Sequence, residues 1–478
     1  MNEVVSVPFK RPAFNVKETH LNELYFPPSF LFGFSIAEHQ NSGGISSNWT
    51  TWENSTWSNG TPHIQRGETS GISSDHWNRY PEDIANMKQD FNVNAFRFSI
   101  AWDRIEPEEG VFCEEALQHY SEEIDALLAV NIIPMVTLHH FVHPQWFEDM
   151  GAFEHEENIQ YFVRFSQKVF EAFASKVPFW CTINEPTIYM FAGYLPLNCV
   201  FPPGKGSITS WPLAVRVLKN LLQAHTEIYH ALKALPFGDT AKIGLVHQYL
   251  KFEGYSYNSI GILPGMMFNN LMNTSVLTFL KTGTFSYGFP CYYYETYTAP
   301  EGPLSDFIGL NYYSRALIEF KWSQLSPDAS CMPGETMTDM PYAIYAQGLY
   351  DTIVEVAELG LPIYITENGI AAKETTDDTR RKMWFTEYLK ATSLAVEDGY
   401  DVRGFFCWTL NDNFEWDMGY SMKFGLYSVE PETLHRTLKA GSSVYADIIK
   451  AARAGKLSTH TSDYLVGNTT QESSVQEL

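Results

Sequence analysis

The chain has 478 residues, of which 45% are hydrophobic and 15% aromatic, so it can bury a large core. Its formal net charge is −24, from 32 Lys and Arg against 56 Asp and Glu. So acidic a surface argues against nucleic acid and anionic lipid as partners. The sequence contains no run of about 18 apolar residues, so we predict no membrane span. The opening segment, MNEVVSVPFKRPAF, has no charged lead before a long apolar run, so we predict no signal peptide.

The six cysteines, at positions 113, 181, 199, 291, 331 and 407, are scattered without metal-binding spacing. This favours free thiols in a reducing compartment, and we predict a cytoplasmic location. Polar segments flank the chain, and no linker divides it. We therefore expect an N-terminal extension over 1–20, one domain over 21–455, and a polar, mobile tail over 456–478.

Eight short apolar segments predict strands, at 31–37, 94–100, 132–140, 179–184, 242–248, 306–312, 363–367 and 403–410. Helical patterns lie between most of them, at 113–130, 158–177, 212–235, 342–359 and 376–398. Strands that alternate with helices predict an α/β fold, a (β/α)₈ TIM barrel formed by a single domain with extended βα loops. A doubly wound sheet is the rival, but no glycine-rich phosphate turn follows the first strand.

Polar and aromatic residues follow nearly every predicted strand. They are Gln40, Arg97, Trp102, His139, His140, Asn184, Glu185, His247, Gln248, Asn311, Tyr313, Glu367, Trp408 and Glu415. In a barrel, the carboxyl ends of the strands meet on one face, where the chemistry takes place. We therefore predict one functional site built from these side chains.

Two glutamates at strand ends suggest a paired-carboxylate site, in the segments TINEP with Glu185 and YITENG with Glu367. Glycoside hydrolysis needs one carboxyl group to protonate the leaving oxygen and a second to attack or to activate water. Burial or a neighbouring negative charge could keep Glu185 protonated. Glu367 would stay ionised if Arg97 and Tyr313 donate hydrogen bonds to it. Either glutamate alone would be interpreted as a loop residue in water or in a salt bridge, but the pair favours function.

The histidines of TLHHFVHPQWF do not predict a metal site. His139 and His143 have helix-like spacing, but a strand precedes them and Pro144 follows, so a helix is disfavoured. We expect only one of His139 and His140 to face the barrel axis, because successive strand residues point to opposite sides. We therefore predict no metal.

The segment WTLNDNFEWDMGYSMKFG combines Trp408, Glu415, Trp416 and Phe424. Tryptophan offers a flat apolar surface for sugar C–H groups, and a carboxylate accepts protons from hydroxyl groups. Any one of these aromatics would be interpreted as a core residue. The whole string favours sugar binding.

TINEP, YITENG and LNDNFEW together resemble glycoside hydrolase family 1, the β-glucosidase and β-galactosidase family, and the resemblance runs from about Leu31 to Ile449. It implies a cofactor-free retaining hydrolase with Glu185 as acid/base and Glu367 as nucleophile. The implied support for the nucleophile comes from Arg97, Tyr313 and Asn311. The implied substrate-binding residues are Gln40, His140, Phe141, Asn184, Trp408, Glu415, Trp416 and Phe424.

The chain departs from the family pattern at three positions near the sugar. His39 stands where Tyr is usual, Ser42 where Glu is usual, and Phe141 where Trp is common. The Glu415-Trp416 pair resembles members that act on unphosphorylated sugars. Residues 250–345, rich in Tyr, Phe and Met, should form much of the aglycone entrance, but they match the family poorly, so the leaving group itself is not predicted.

These features predict a retaining β-glycosidase that hydrolyses terminal β-D-glucosides, with β-galactosides and β-fucosides left open. The predicted partner is a small β-glycoside, and the oligomeric state is left open. The two carboxyl groups should lie about 5 to 5.5 Å apart. The alternatives are a transglycosidase with the same site and a catalytically silent sugar-binding protein. A lipid glycosidase that associates with membranes would rest on ILPGMMFNNLM (262–272), for which buried packing is favoured.

Overall fold

A computed structural model describes residues 23–196, 199–254, 265–289, 293–320, 327–330, 332 and 334–454. The predicted N-terminal extension and the polar tail both lie outside these residues, as do Cys291 and Cys331. Within the described chain, no helix is both long enough and apolar enough to cross a membrane.

Eight parallel strands close into a barrel, which confirms the predicted (β/α)₈ fold. They are β1 (Leu31–Ser35), β2 (Ala95–Ser99), β3 (Ile133–His139), β4 (Phe179–Asn184), β5 (Lys242–Gln248), β6 (Phe307–Asn311), β7 (Ile363–Asn368) and β8 (Val402–Trp408). Neighbours in sequence pair with each other, and β1 pairs with β8 to close the ring. The observed strand ends differ from the predicted ones by at most two residues.

One helix follows each strand and packs outside the barrel. The helices are α1 (His76–Asn86), α2 (Glu114–Ala129), α3 (Ile159–Phe173), α4 (Trp211–Lys233), α5 (Ser275–Thr282), α6 (Ala346–Ala357), α7 (Thr379–Glu397) and α8 (Ser443–Ala454). In α3, buried Ile159, Phe162, Val169 and Phe170 recur at helical spacing and form an apolar stripe that covers the barrel.

The loops after the strands carry smaller elements. Short helices are Glu38–Asn41, Asn48–Glu53, Trp102–Ile105, Gln145–Asp149 and Pro186–Tyr194, with single turns at Gln65–Gly67, Met87–Phe91, Ala152–Glu154, Glu156–Asn158, Ile208–Ser210, Asn270–Thr274 and Trp416–Met418. Additional strands are Lys251–Gly254, Thr284–Phe289, Tyr293–Thr298, Arg315–Phe320, Pro327–Ser330, Tyr427–Val429 and Arg436–Leu438. These loops form the walls above the carboxyl ends of the barrel strands.

The inside of the barrel is apolar at one end and polar at the other. A buried cluster fills the amino end, with Leu31, Ala95, Met135, Cys181, Val246, Phe307, Tyr364 and Phe406. Because side chains on one face of a strand recur every two residues, Ala95 is followed by Arg97 and Met135 by Thr137 on the inner face. The barrel thus places buried polar groups just above an apolar floor.

Candidate active site

Glu185 lies at the junction between β4 and the helix Pro186–Tyr194. Its backbone has φ 48°, and its N–H donates to the carbonyl oxygen of Val246 at 2.8 Å, on β5. Pro186 occupies the first turn of the helix, where its missing N–H and fixed φ cost nothing. The side chain of Glu185 is buried and lines the cleft at the carboxyl end of the barrel.

Glu367 lies near the end of β7, and two side chains donate to its carboxyl oxygens. Arg97 Nη1 is 2.6 Å from Oε1, and Tyr313 Oη is 2.8 Å from Oε2. Glu367 is only 3% exposed, so these bonds replace water. Both donors named from the sequence therefore contact this carboxyl group, and charge-assisted bonds of this kind favour its ionised form.

The guanidinium of Arg97 connects four barrel strands besides its own. In addition to Glu367, it donates to Asn184 Oδ1 at 2.6 Å, to Thr137 Oγ1 at 3.0 Å and to Ser35 Oγ at 3.1 Å. Arg97 is completely buried. These four acceptors hold the guanidinium in one orientation against the carboxyl group of Glu367.

Asn311, at the end of β6, contacts the other glutamate. Its Nδ2 donates to Glu185 Oε1 at 2.7 Å and to Asn184 Oδ1 at 3.2 Å. Thr366 Oγ1 donates to Asn311 Oδ1 at 2.7 Å, which determines which way the amide points. A hydrogen bond from Asn311 also opposes the rise in the pKa of Glu367. Asn311 therefore lies between the two glutamates, whereas the family resemblance implied support for Glu367 alone.

The two carboxyl groups differ in what surrounds them. Burial raises the pKa of Glu185 well above its usual value, and the negative charge of Glu367 raises it further. Burial also raises the pKa of Glu367, but the charge of Arg97 and the bonds from Arg97 and Tyr313 oppose this rise. The pair therefore holds a proton on Glu185 more readily than on Glu367, as an acid and a nucleophile require.

Carboxyl, imidazole and indole groups meet beside this pair. Gln40 Nε2 donates to Glu415 Oε2 at 2.9 Å, and burial raises the pKa of Glu415 to about 8. Burial lowers the pKa of His140 well below its usual value, so its ring is neutral, and Nε2 lies 3.1 Å from Asn184 Nδ2. The His140 ring is nearly parallel to those of Trp408 and Trp416, at interplanar angles of 23° and 22°.

The cleft has a volume of about 360 Å³ and collects most of the predicted site. The predicted residues that line it are His140, Phe141, Asn184, Glu185, Tyr313, Glu367, Trp408, Glu415, Trp416 and Phe424. Gln40, Arg97 and Asn311 lie behind the lining, and each donates a hydrogen bond to a lining residue. Among the other strand-end residues, Gln248 also lines the cleft, whereas Trp102 and His247 pack in the buried core and do not.

His139 lies outside the cleft, on the opposite side of β3 from His140. Its Nε2 is 3.2 Å from His143 Nδ1, and its ring packs edge-on against Phe153. His143 Nε2 in turn is 2.7 Å from Glu148 Oε2. In the described part of the chain, no group of three or more His, Cys, Asp and Glu residues is arranged to hold a metal ion.

Two of the three departures from the family pattern, His39 and Phe141, pack against Trp416. The His39 ring stacks on Trp416 at 5.9 Å and 7°, and its Nε2 is 3.4 Å from Glu53 Oε2. The Phe141 ring packs edge-on against Trp416 at 5.4 Å. Ser42 is buried nearby in the same loop. These residues shape the support of an indole that lines the cleft.

Sequence reasoning assigned the region 250–345 to the aglycone entrance but did not identify the individual residues of the outer wall of the cleft. The additional lining residues are Ile188, Phe191, Ala192, Val200, Phe201, Leu250, Phe252, Met272, Met340, Pro341, Tyr342, Asp417 and Met418. Asp417 directly follows the Glu415-Trp416 pair, so its position was a usable signal. The others lie in irregular loops or in short elements such as the helix Pro186–Tyr194 and the strand Lys251–Gly254, where local sequence does not indicate which side chains face a cavity.

Comparison with known proteins agrees with this geometry. The model of the family described as glycosyl hydrolase family 1 matches residues 22–287 and 294–454. Beta-glucosidase A of Thermotoga maritima is 31% identical over 467 residues, covering 90% of this chain and 99% of that protein. The bifunctional beta-D-glucosidase/beta-D-fucosidase of Bifidobacterium breve is 29% identical, covering 89% of this chain and 98% of that protein.

A solved structure of a beta-glycosidase from Pyrococcus horikoshii has a TM-score of 0.78 with this chain at 34% sequence identity. The match covers 90% of this chain and 96% of that one. The fold, the whole-length family match and the paired carboxylates agree with one another. The chain therefore belongs to glycosyl hydrolase family 1 and is a glycoside hydrolase.

Proposed function

We propose that the protein is a retaining β-glucosidase in which Glu367 is the nucleophile and Glu185 the general acid and base. The observation that carries the proposal is that two buried carboxyl groups in one cleft differ in their hydrogen-bond partners and in their electrostatic surroundings. Arg97 and Tyr313 donate to Glu367, whereas burial and the charge of Glu367 favour the protonated form of Glu185. The retaining reaction needs this division of protons between two carboxyl groups.

In the first step, Glu185 gives its proton to the glycosidic oxygen while Glu367 attacks the anomeric carbon. The aglycone leaves as an alcohol, and the sugar is held as an ester on Glu367. In the second step, Glu185 removes a proton from water, which attacks the same carbon and frees Glu367. Two displacements restore the original configuration, and the carboxyl groups must lie about 5 to 5.5 Å apart for this path.

Asn184 is well placed to contact the sugar hydroxyl next to the reacting carbon. Its Oδ1 accepts from Arg97 at 2.6 Å, and its Nδ2 lies 3.1 Å from His140. A hydroxyl group held near this amide would gain hydrogen bonding as charge develops on the ring. Glu415 and Trp416 would bind the far hydroxyl groups, and Trp408 would lie under the sugar ring.

Glucose is the proposed sugar, because relatives that match nearly the whole chain are named as β-glucosidases. One relative is named as a bifunctional glucosidase and fucosidase, so we extend the proposal to β-fucosides, and we propose β-galactosides as weaker substrates. Asp417 lines the cleft, and burial raises its pKa only to about 6, so near neutral pH its carboxylate would repel a phosphorylated sugar.

We also propose a cytoplasmic location, supported by the free thiols of Cys113, Cys181, Cys199 and Cys407 in the described part of the chain. A reducing compartment keeps cysteines in this state. Labelling the unfolded protein, isolated from cells without reductant, with a thiol reagent tests the proposal. Full labelling is expected, and a disulfide recovered from cells would contradict it.

A panel of aryl β-glycosides that differ only in the sugar tests the activity. We expect the glucoside to be hydrolysed and the β-anomer of glucose to appear first in a time-resolved NMR spectrum. If the α-anomer appears first, the retaining assignment is wrong. Sugar binding without turnover of any substrate would identify a catalytically silent protein. Glycosyl transfer to added alcohol in preference to water would identify a transglycosidase.

A further inference from the structure

The outer part of the cleft is apolar. Beyond the groups assigned to the sugar, its wall is formed largely by aliphatic and aromatic side chains such as Ile188, Phe191, Leu250, Phe252, Met272 and Met340. In the described lining, the polar side chains beyond the groups assigned to the sugar and to the catalytic pair are Gln248, Tyr342 and Asp417. The wall therefore offers much apolar surface and few hydrogen-bonding partners.

This apolar wall lies on the side of the cleft where the leaving group departs. Glu185, the proposed proton donor, directly precedes the helix that carries Ile188 and Phe191, and the N–H of Ile188 donates to the carbonyl oxygen of Glu185 at 2.9 Å. The donor must reach the glycosidic oxygen, so the aglycone beyond that oxygen lies next to this helix. Leu250 and Phe252 form a second part of the wall, in the loop after β5.

The apolar surface continues from the cleft to the outside of the protein. The Phe268 ring lies 6.3 Å from Phe191 and 5.3 Å from Phe252, measured between ring centroids. Two residues beside Phe268 face solvent, because Met266 is 62% and Met267 51% exposed. The sequence favoured buried packing for this stretch. That holds for Leu271 and Met272, and it is wrong for Met266 and Met267. Residues 262–264 of the stretch lie outside the described residues.

We propose that the natural leaving group is a bulky, uncharged apolar alcohol, with a long alkyl or aryl body, rather than a second sugar. The proposal rests on the β-glucosidase activity proposed above. A sugar in this part of the cleft would lose water from hydroxyl groups that find few partners on the wall, which is costly. An apolar chain gains free energy from the same surface in proportion to the area that it buries. Flexible methionines adapt to chains of different shape.

Asp417 selects against aglycones that carry a negative charge. Its carboxyl group lines the cleft beside Met418, and the protein carries a formal net charge of −24. An aglycone with a carboxylate or phosphate group would meet like charge in a poorly solvated cleft, where repulsion is strong. The proposed class is therefore limited to uncharged alcohols.

A series of alkyl β-D-glucosides from methyl to octyl tests the proposal on the unmodified protein. The substrates are compared below the concentration at which they form micelles. We expect kcat/KM to rise with chain length by about two- to fourfold for each added methylene, the upper factor being that for full burial. Cellobiose should be cleaved less efficiently than octyl glucoside. An octyl glucoside analogue whose chain ends in a carboxylate should lose most of the increase in kcat/KM that octyl glucoside shows over methyl glucoside.

A matched pair of variants tests whether the dependence of kcat/KM on chain length arises at the apolar wall. Phe191→Gln should lower the ratio of kcat/KM for octyl over methyl glucoside by at least about threefold, because an amide replaces apolar contact. Phe237 is 51% exposed in the connection between α4 and β5, at the other end of the barrel, so Phe237→Gln should leave this ratio unchanged. Thermal unfolding of both variants verifies that they fold.

The outcomes separate this inference from the proposed function. If aryl glucosides are hydrolysed but chain length has no effect, or cellobiose is the better substrate, the inference is wrong and the β-glucosidase activity stands. If no β-glucoside is hydrolysed, the proposed function itself fails. Should Phe191→Gln not fold, the alkyl series on the unmodified protein still decides the question.

Discussion

At the scale of single residues, the chemistry depends on which atoms surround two side chains of the same type. Glu185 accepts from the neutral amide of Asn311 at 2.7 Å, whereas Glu367 accepts from the guanidinium of Arg97 at 2.6 Å. A positive charge favours the carboxylate, and burial beside a second negative charge favours the acid. The partners, rather than the glutamates themselves, therefore assign the two roles.

Removing the proposed nucleophile should abolish the double displacement. Glu367→Gly is expected to lower kcat/KM for aryl β-glucosides by at least about 10³-fold, because no ester can form. Added azide could occupy the emptied space and attack once, and a single displacement inverts the configuration. NMR should then identify an α-glucosyl azide. A product of retained configuration would contradict the role of Glu367.

Removing the proposed acid should slow the hydrolysis of each substrate in proportion to how much its leaving group needs a proton. Glu185→Ala is expected to cost about 10²- to 10⁴-fold with alkyl glucosides. With activated aryl glucosides, whose leaving groups are acidic phenols, the rate of the first step, glycosylation of the enzyme, should fall far less. Pre-steady-state kinetics with both substrate types measures this difference. Equal losses for the two types would show that Glu185 does not protonate the leaving group.

The pH dependence follows from the same two groups. In the proposed mechanism, activity needs Glu185 protonated, so it is expected to be lost as the pH rises through the raised pKa of that group. It needs Glu367 ionised, so it is also lost as the pH falls through the pKa of the nucleophile. We expect a bell-shaped profile of kcat/KM. In Glu185→Ala with an activated aryl glucoside, the alkaline limb should disappear, and its persistence would assign that limb to another group.

At the scale of elements, the guanidinium of Arg97 holds the carboxyl ends of the strands together. Arg97 belongs to β2 and donates to Ser35 on β1, Thr137 on β3, Asn184 on β4 and Glu367 on β7. These strands converge there from distant parts of the chain, with Arg97 and Glu367 separated by 270 residues. One buried side chain therefore aligns the strands that form the site.

Replacing Arg97 should destabilise the fold chiefly by leaving a buried carboxylate without its partner. Arg97→Leu is expected to lower the free energy of unfolding by about 3 kcal/mol near pH 7. In a Glu367→Gln background, the same replacement should cost at least about 1 kcal/mol less, because no buried charge is left behind. Chemical denaturation of the four proteins gives this difference.

The matched control is Arg403, which pairs with Asp401 through side chains that are each 52% exposed. Arg403→Leu should change the free energy of unfolding by less than about 1 kcal/mol, because water screens this pair. Equal costs for Arg97→Leu with and without Glu367 would contradict the proposed origin of the effect.

At the scale of the whole molecule, a second buried charge network joins the first and last thirds of the chain. His76 in α1 lies 2.8 Å from Asp83 and 3.0 Å from Glu123 in α2. Asp83 also accepts from Arg436 at 3.0 Å, across 353 residues. Burial lowers the pKa of His76, but the charges of Glu123 and Asp83 outweigh burial and raise the pKa to about 10. His76 is therefore protonated in the folded protein.

This network should make the stability depend on pH. The folded pKa of His76 is raised to about 10, against about 6.5 when unfolded, so its contribution is full below the unfolded value and is lost as the pH rises toward 10. At pH 7, His76→Gln is expected to lower the free energy of unfolding by about 3 kcal/mol. The difference in the free energy of unfolding between the unmodified protein and His76→Gln should become smaller as the pH rises.

Denaturation of both proteins across this range measures the gap. His435 is an exposed histidine, so His435→Gln should change the free energy of unfolding by less than about 0.5 kcal/mol at every pH. A gap between His76→Gln and the unmodified protein that does not vary with pH would contradict the charged state assigned to His76.

Much of the fold and of the inner site was predictable because the relevant signals are local. Apolar runs of five to nine residues marked all eight strands, and in a barrel the ends of such strands must share one face. That rule predicts that Arg97, Asn184, Glu185, Asn311 and Glu367 share one site. Their exact neighbours were harder to predict, because β4 and β7 each carry a register shift just before the glutamate, which interrupts the two-residue period.

The sequence by itself determined the barrel and the two acidic groups, since these follow from short-range periodicity and motif spacing, and the family resemblance of its motifs indicated the residue types around the cleft. Only the tertiary structure decided that Asn311 bonds to Glu185, across 126 residues, and that Gln40 bonds to Glu415, across 375. It also decided that the outer wall of the cleft is apolar. Contacts between loops far apart in the chain depend on how the whole barrel closes, and no local pattern encodes them.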